Sequence, residues 1–215
     1  MPEPTSPATL PVTLRVARTH GGLETFRLAA GENTSVLDLL FAAQREHDRS
    51  LVFRSSCRIG VCGSCAVRVN GREALACRTR ARDVGPEIAL APLRHLPVVR
   101  DLAVDLVPFR AAMSELMPAL SPSAEMGRAT RPRAPVLVER AGGTGDCITC
   151  AICYSAAETV ASVPGYPGPA AFIRAAALLE DPRDGAQEQR RAAVRRWLTT
   201  PDDPHATEVC PKGLR

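Results

Sequence analysis

The eight cysteines fall into two groups of four, and this arrangement constrains the fold more than any other feature of the sequence. The front group consists of Cys57, Cys62, Cys65 and Cys77, and the back group consists of Cys147, Cys150, Cys153 and Cys210. The first residues show neither the basic nor the apolar region of an export signal, so a disulfide framework is not expected. Two sites of four thiolates each would use every cysteine.

The front group has the spacing C-x4-C-x2-C, and Cys77 follows after eleven further residues. This spacing is close to that of plant-type [2Fe–2S] sites, in which one loop supplies three ligands and a later strand supplies the fourth. Gly60 and Gly63 lie between the cysteines, where positive φ angles would bring backbone N–H groups against the sulfurs. Structural zinc is the alternative, but zinc ribbons pair two C-x2-C knuckles, which is a different pattern.

Four arginines flank the front group: Arg54, Arg58, Arg78 and Arg80. Their positive charges would offset the negative charge of an all-thiolate cluster and so contribute to its reduction potential. The alternative is that they are ordinary solvent-facing arginines. The sequence leaves both roles open for each of them.

The residues around the front group predict a small sheet with one helix. Strands are expected over 12–19 and 24–30, and a helix over 35–47 with Ser35 and Asp38 as a capping box. Asn70-Gly71 predicts a type I′ turn in a hairpin over 66–77, and a last strand follows at 87–93. Two strands, a helix, a cluster loop and more strands are typical of the β-grasp ferredoxin fold.

The back half has a different composition. Residues 101–117 predict a helix that restarts at Pro108, and residues 118–146 are rich in proline, glycine and serine and predict a linker. Alanine-rich segments at 147–161, 169–181 and 186–200 predict helices, with the first three cysteines of the back group on successive turns. We therefore expect the α+β class, with a β-grasp domain over 10–100, a helix and linker over 101–146, and an all-α domain over 147–215.

Composition excludes some classes of function. The chain has 215 residues, a net charge of +4 and only 4% aromatic residues, so no nucleic-acid partner is expected. It contains no run of 18 apolar residues, which a membrane-spanning helix would need. Thiolate clusters without an evident export signal predict a cytoplasmic location.

Taken together, the motifs resemble the iron–sulfur subunit of the succinate dehydrogenase/fumarate reductase family. The resemblance is carried by six segments in the family's order: SCRIGVCGSC, LACRT, PLRHLPVVRDLAVDL, CITCAIC, GPAAF…LLEDPRD and EVCPKGL. They run from about Val12 to Leu214. A lone C-x2-C-x2-C would be a weak signal, whereas the ordered set is specific.

The resemblance implies two clusters and the loss of a third. The front group would bind a [2Fe–2S] cluster in the β-grasp domain, and the back group a [4Fe–4S] cluster in a helical ferredoxin domain. Family members carry in addition a [3Fe–4S] cluster, whose three ligand positions correspond here to Ala157, Thr200 and Ala206. None of these side chains is a thiolate, so no [3Fe–4S] cluster is expected.

The resemblance also implies the function of an electron-transfer subunit of an oxidoreductase. Electrons would pass between the flavin of an FAD-containing flavoprotein subunit and a downstream acceptor, and the chain would have no catalytic residues of its own. The missing third cluster makes the usual quinone route doubtful, so the partner beyond the [4Fe–4S] would be a membrane anchor at the inner face of the cell membrane or a soluble electron acceptor. The alternatives are a soluble two-cluster ferredoxin for an unrelated oxidoreductase and a non-catalytic cluster-bearing sensor or assembly subunit.

Overall fold

In a computed structural model of the chain, which describes residues 9–123, 143–201 and 203–214, the residues form two compact units divided between Asp105 and Leu106. The first unit contains a mixed sheet and the second is helical, as predicted. Among the described residues, none of the helices combines the length and the apolar character needed to span a bilayer.

The first unit is built around a five-stranded sheet with the order β2-β1-β5-β3-β4. Its elements are β1 (Leu10–Ala17), β2 (Leu23–Ala30), α1 (Val36–Glu46), β3 (Ala66–Val69), β4 (Arg72–Leu75), α2 (Ala81–Val84) and β5 (Glu87–Ala91). β1 runs parallel to β5 in the centre, and the other neighbouring strands are antiparallel. This is the β-grasp arrangement that the order of elements predicted.

Local sequence rules explain the elements of the first unit. In β1, Val12, Leu14 and Val16 are buried at every second position, because successive side chains of a strand point to opposite faces. The capping box of α1 is present, with the Ser35 hydroxyl accepting from the Asp38 N–H and the Asp38 carboxylate accepting from the Ser35 N–H. The capped helix α1 packs against β2.

The hairpin of β3 and β4 turns at Asn70 and Gly71, whose φ angles are 49° and 86°. Two consecutive positive φ angles are the signature of the type I′ turn, and the Asn-Gly pair predicted it. A second, two-stranded sheet follows, with β6 (Val98–Arg100) antiparallel to β7 (Ala103–Val104). The prediction of a helix beginning at residue 101 was therefore wrong for the first residues of that segment.

The helices of the second unit are short. They are α3 (Val107–Ser114), α4 (Ile152–Ala156), α5 (Glu158–Ser162), α6 (Pro169–Leu179), α7 (Gln187–Arg195) and α8 (Pro204–Glu208), with a 3₁₀ turn at Thr144–Asp146. α6 packs against α3, α4 and α7, and α4 packs against α8. Pro108 lies in the first turn of α3, where a missing N–H costs no hydrogen bond.

The predicted linker, 118–146, lies mostly outside the described residues, but its first residues bind the helical unit. The Ser121 N–H donates to the Asp184 carboxylate at 2.9 Å, and Pro122 and Asp184 form a β-bridge.

Arg190 of α7 is fully buried beside Asp184, with Nη2 at 3.0 Å from each carboxylate oxygen. The guanidinium also donates to the Leu116 and Ala119 carbonyls. This buried pair joins α7 to the chain that follows α3.

Candidate metal centres

The loop that carries Cys57 and Cys62 folds its backbone N–H groups towards its own sulfurs. The Val61 N–H donates to Cys57 Sγ at 3.4 Å, and the Cys57 N–H donates to Cys62 Sγ at 3.5 Å. Gly60 and Gly63 have φ angles of 79° and 72°, so the predicted left-handed bends are present. Donors arranged in this way stabilise thiolates, which are the form that binds iron.

Hydrogen bonds to its sulfur lower the pKa of Cys57 to about 6. The largest cause is a hydrogen bond from the Cys62 side chain, followed by the N–H of Ile59, with smaller contributions from Val61 and Cys62. A thiol with this pKa is mostly ionised at neutral pH. Cys57 is therefore prepared to act as a metal ligand before any metal binds.

Cys65 and Cys77 are brought together by the β3–β4 hairpin. Leu75 pairs with Ala66, and the Ala76 N–H donates to the Cys65 carbonyl at 3.0 Å. Burial is the main reason that the pKa of Cys65 is raised to about 12, and the nearby Cys77 and Cys62 contribute to the same increase. Neighbouring sulfurs that disfavour each other's ionisation fit a site in which bound cations neutralise them together.

The first turn of α1 holds the segment around Cys77 in place. The Leu37 N–H donates to the Ala76 carbonyl at 3.1 Å, and the Val36 N–H donates to the Thr79 carbonyl at 2.8 Å. These two donors have no partner within the helix, because the first N–H groups of a helix lack a carbonyl one turn earlier. The fourth cysteine of the front group therefore comes from a segment tied to a rigid helix end.

The four flanking arginines have different partners. Arg58 pairs with Asp38 at 2.6 Å and lies over the Phe41 ring, and Arg80 pairs with Asp83 at 2.9 Å. Arg54 donates to the Val104 carbonyl at 3.2 Å. The side chain of Arg78 lies against Gly60 in the cysteine loop. The four arginines thus differ in the groups that they contact.

In the second unit, the four cysteines of the back group line one small cavity. Its other walls are largely apolar and include Ile148, Ala170, Pro211 and Leu214. The pKa of Cys150 is raised to about 11 and that of Cys153 to about 12, mainly by burial and in part by the neighbouring cysteines of the group. Four converging sulfurs in an apolar cavity fit a cluster bound entirely by thiolates.

The prediction that the first three cysteines of the back group lie on successive helical turns was wrong. Cys147 and Cys150 precede α4, and only Cys153 lies within it. The loop passes through positive φ at Thr149 and Ala151, with angles of 51° and 64°. A continuous helix would use its N–H groups internally, whereas this loop leaves the Ile152 N–H facing the sulfur of Cys150.

Cys153 and Cys210 reach the cavity from helical segments. The N–H of Ala170, in the first turn of α6, faces the sulfur of Cys153. Cys210 follows the end of α8, where its own N–H donates to the Thr207 carbonyl at 3.1 Å. The remote fourth cysteine of the back group is thus positioned by a helix end, as Cys77 is in the first unit.

Within the described parts of the chain, no three Cys, His, Asp or Glu side chains converge closely enough to hold a single metal ion. This finding does not bear on clusters, because no iron of a [2Fe–2S] cluster binds more than two of the four thiolates, and no iron of a [4Fe–4S] cluster binds more than one. The spacing of cluster ligands is set by the size of the iron–sulfide core.

Of the three positions that carry no thiolate, Ala157 directly follows α4 and Ala206 lies in α8, which packs against α4. Ala157 and Ala206 are fully buried, and Thr200 is half-buried. The Asp203 carboxylate accepts the Glu158 N–H at 2.8 Å and the Ala206 N–H at 3.3 Å, so one side chain caps the first turns of α5 and α8. Asp203 was not predicted as a cap, although an Asp before a Pro is a recognised signal for a helix start.

Gly168 is a second residue that the sequence analysis missed. A methyl group in place of its hydrogen would lie 2.5 Å from Cδ2 of Tyr154, and its φ of 81° and ψ of 157° belong to a region that only glycine occupies readily. Gly168 directly precedes α6 and therefore sets where the Ala170 N–H meets the Cys153 sulfur. In the sequence, the Gly168-Pro169 pair was the available signal that a helix begins here.

Comparison with known proteins identifies iron–sulfur proteins as relatives of this chain. A family profile described as a 2Fe-2S iron-sulfur cluster binding domain matches residues 13–111. The chain is 31% identical to the fumarate reductase iron-sulfur subunit of Haemophilus influenzae, over 89% of the chain and 81% of that protein. It is 33% identical to the succinate dehydrogenase iron-sulfur subunit of Paracoccus denitrificans, over 83% of the chain and 71% of the relative. A solved structure, the Mycobacterium smegmatis Sdh1 complex in the apo form, contains a chain that matches with a TM-score of 0.84 at 29% identity, over 96% of this chain and 90% of that one.

Proposed function

Because the chain belongs to the family of iron–sulfur subunits of succinate dehydrogenase and fumarate reductase, we propose that it relays electrons through two clusters and no third. The front group would hold a [2Fe–2S] cluster in the domain over 10–100, and the back group a [4Fe–4S] cluster in the domain over 147–215. The observation that carries the proposal is the grouping of the eight cysteines, four in each compact unit, with backbone N–H groups facing their sulfurs.

Clusters of these two types each accept and release single electrons, and the protein supplies their ligands and surroundings. The cysteine loop of the first unit orients Cys57 and Cys62 through its own N–H groups, and α1 orients Cys77 through the carbonyls on either side of it. In the second unit, largely apolar walls surround the back group. No side chain is required as an acid, base or nucleophile.

The proposed partner on one side is an FAD-containing flavoprotein subunit that oxidises succinate or reduces fumarate. On the other side, the electron leaves from the [4Fe–4S] cluster to a soluble acceptor or to a membrane anchor, which would keep the chain at the inner face of the cell membrane. Without a [3Fe–4S] cluster, the usual path to quinone is interrupted, because electron tunnelling falls steeply with distance. The membership of the family favours this role over that of an independent ferredoxin or a sensor.

The absence of a third cluster is supported by the side chains at two of its three expected positions. Ala157 and Ala206 offer no ligand atom and are fully buried. Asp203 already uses its carboxylate for the Glu158 and Ala206 N–H groups. The contact of α4 with α8 is therefore closed by packing and by one capping carboxylate.

Iron and sulfide analysis with EPR spectroscopy on the anaerobically purified native complex tests the proposal. We expect about six irons per chain, two from one cluster and four from the other. Cys210→Ser should lower the count to about two and leave the [2Fe–2S] signal unchanged. A stoichiometric [3Fe–4S] signal in the oxidised wild type would refute the two-cluster assignment. Purification of the chain without a flavoprotein would refute the proposed partner.

A further inference from the structure

Arg78 directly follows the fourth cysteine of the front group, and its side chain lies across the cysteine loop. A methyl group in place of the Gly60 hydrogen would lie 2.8 Å from Arg78 Cγ and 2.9 Å from Cδ. The aliphatic part of the arginine therefore packs on the backbone of the loop itself. A side chain at residue 60 would displace it, in addition to straining the positive φ there.

The charge of Arg78 is not neutralised by its neighbours. Arg58 and Arg80 each pair with a carboxylate, at 2.6 Å and 2.9 Å, and Arg54 is held at the Val104 carbonyl. For Arg78, no ion pair with any residue in the described part of the chain is present. Of the four flanking arginines, Arg78 thus combines a position against the cysteine loop with an uncompensated charge.

We infer that Arg78 raises the reduction potential of the [2Fe–2S] site and so helps to set how readily the chain takes an electron from its partner. The inference rests on the proposed function, in which the front group holds this cluster. On reduction, one electron passes from the reductant to the irons, no bond forms or breaks, and the site becomes one charge more negative. An adjacent cation stabilises that added charge more than it stabilises the oxidised site.

The expected size of the effect follows from the exposure of Arg78. A unit charge beside the cysteine loop, at a surface of high effective dielectric constant, shifts a one-electron equilibrium about three- to tenfold. At 59 mV per factor of ten, this corresponds to a change of about 30 to 60 mV in the potential. Because the guanidinium is exposed, salt should screen the interaction.

The test is an EPR-monitored redox titration of the full chain in its native complex. Arg78→Met keeps an aliphatic stem and removes the charge, and Arg78→Lys keeps the charge. The control is Arg80→Gln combined with Asp83→Asn, which removes both charges of an exposed ion pair only two residues further along the chain and leaves the net charge unchanged; Arg82, which also contacts Asp83, keeps its pair with Glu32.

We expect the Arg78→Met potential to fall by about 30 to 60 mV, the three- to tenfold shift in the equilibrium. We expect Arg78→Lys and the control to match the wild type, and the gap between Arg78→Met and the wild type to shrink at high salt. An unchanged potential in Arg78→Met, or an equal shift in the control, overturns the inference while the proposed function stands.

If Arg78→Met does not retain the cluster, Arg78→Gln is titrated in its place. If both variants lose the cluster while Arg78→Lys keeps it, Arg78 acts in assembly of the site, and the assignment to the potential is overturned. Absence of any [2Fe–2S] signal from the wild type is a separate result, which refutes the proposed function itself.

Discussion

Replacing Arg190 by methionine should destabilise the helical unit strongly. Both side chains of the Arg190–Asp184 pair are fully buried, and the guanidinium donates to the carboxylate and to the Leu116 and Ala119 carbonyls. Methionine fills a similar length but donates nothing. Asp184 would then keep only the Ser121 N–H as a donor among the bonds described, with its charge still buried.

Removal of one partner from a buried ion pair costs about 3 to 5 kcal/mol, because the remaining charge is left without compensation. At 1.36 kcal/mol per factor of ten, this raises the equilibrium constant for opening of the unit about 10²- to 5 × 10³-fold. A second change, Asp184→Asn in the same chain, removes the stranded charge, and its amide oxygen can still accept the Ser121 N–H. The double variant should therefore recover part of the stability lost in Arg190→Met.

Amide hydrogen exchange followed by mass spectrometry, on the anaerobically prepared full chain, measures this opening in each unit separately. Peptides from α6 and α7 should exchange faster by the factor given above, while peptides from β1 and β5 serve as the internal reference. The matched control is Arg191→Met, one residue along α7, whose pair with Glu188 is exposed and should contribute little. An Arg190→Met effect below tenfold, or one equal to that of Arg191→Met, would refute the reasoning.

Two further predictions concern the cysteines. Gly168→Ala should release iron from the [4Fe–4S] site to a chelator at least about tenfold faster than Gly213→Ala. Both glycines have a positive φ, where a side chain costs about 1 to 3 kcal/mol of backbone strain, but only at Gly168 would the added methyl group also collide with the Tyr154 ring. Equal rates of iron release from the two variants would contradict this. In the cluster-free chain, the lowered pKa of Cys57 predicts that the rate of its alkylation by iodoacetamide rises with pH, with a midpoint near pH 6. Burial raises the pKa of Cys153 to about 12, so this thiol should stay protonated and unreactive at neutral pH. The sign follows because the thiolate is the reactive form and accumulates above the pKa; comparable labelling of the two cysteines at pH 7, read by peptide mass spectrometry, would count against the assignment.

Much of the first unit could be predicted from the sequence, because its signals are local. The capping box of Ser35 and Asp38 spans one helical turn, and the type I′ turn at Asn70 and Gly71 is set by two adjacent residues. The period-two burial of β1 is likewise a property of neighbouring positions. Cysteine spacing predicted which sulfurs belong together, and that grouping into two sets remains the basis of the cluster assignments.

Local signals were misleading where the chain is bent for the sake of a site. Alanine-rich composition predicts a helix through Cys147 and Cys150, but propensity is a weak preference that surrounding structure overrides. Thr149 and Ala151 adopt positive φ, which side chains other than glycine rarely do. The backbone there orients N–H groups to sulfurs, and this requirement is not expressed in the helix propensities of the residues.

Only the tertiary structure decided which charges are compensated and which are not. The sequence places four arginines around the front group without distinguishing them, and the fold supplies Asp38 and Asp83 to two of them while laying Arg78 against Gly60. In the same way, Asp203 meets Glu158, and Arg190 meets the carbonyls that follow α3, across separations of 45 to 74 residues. Short-range patterns in a sequence determine elements and ligand spacing because they act between neighbours along the chain. Ion pairs and caps between distant segments depend on where packing brings those segments, so they are fixed only when the chain has folded.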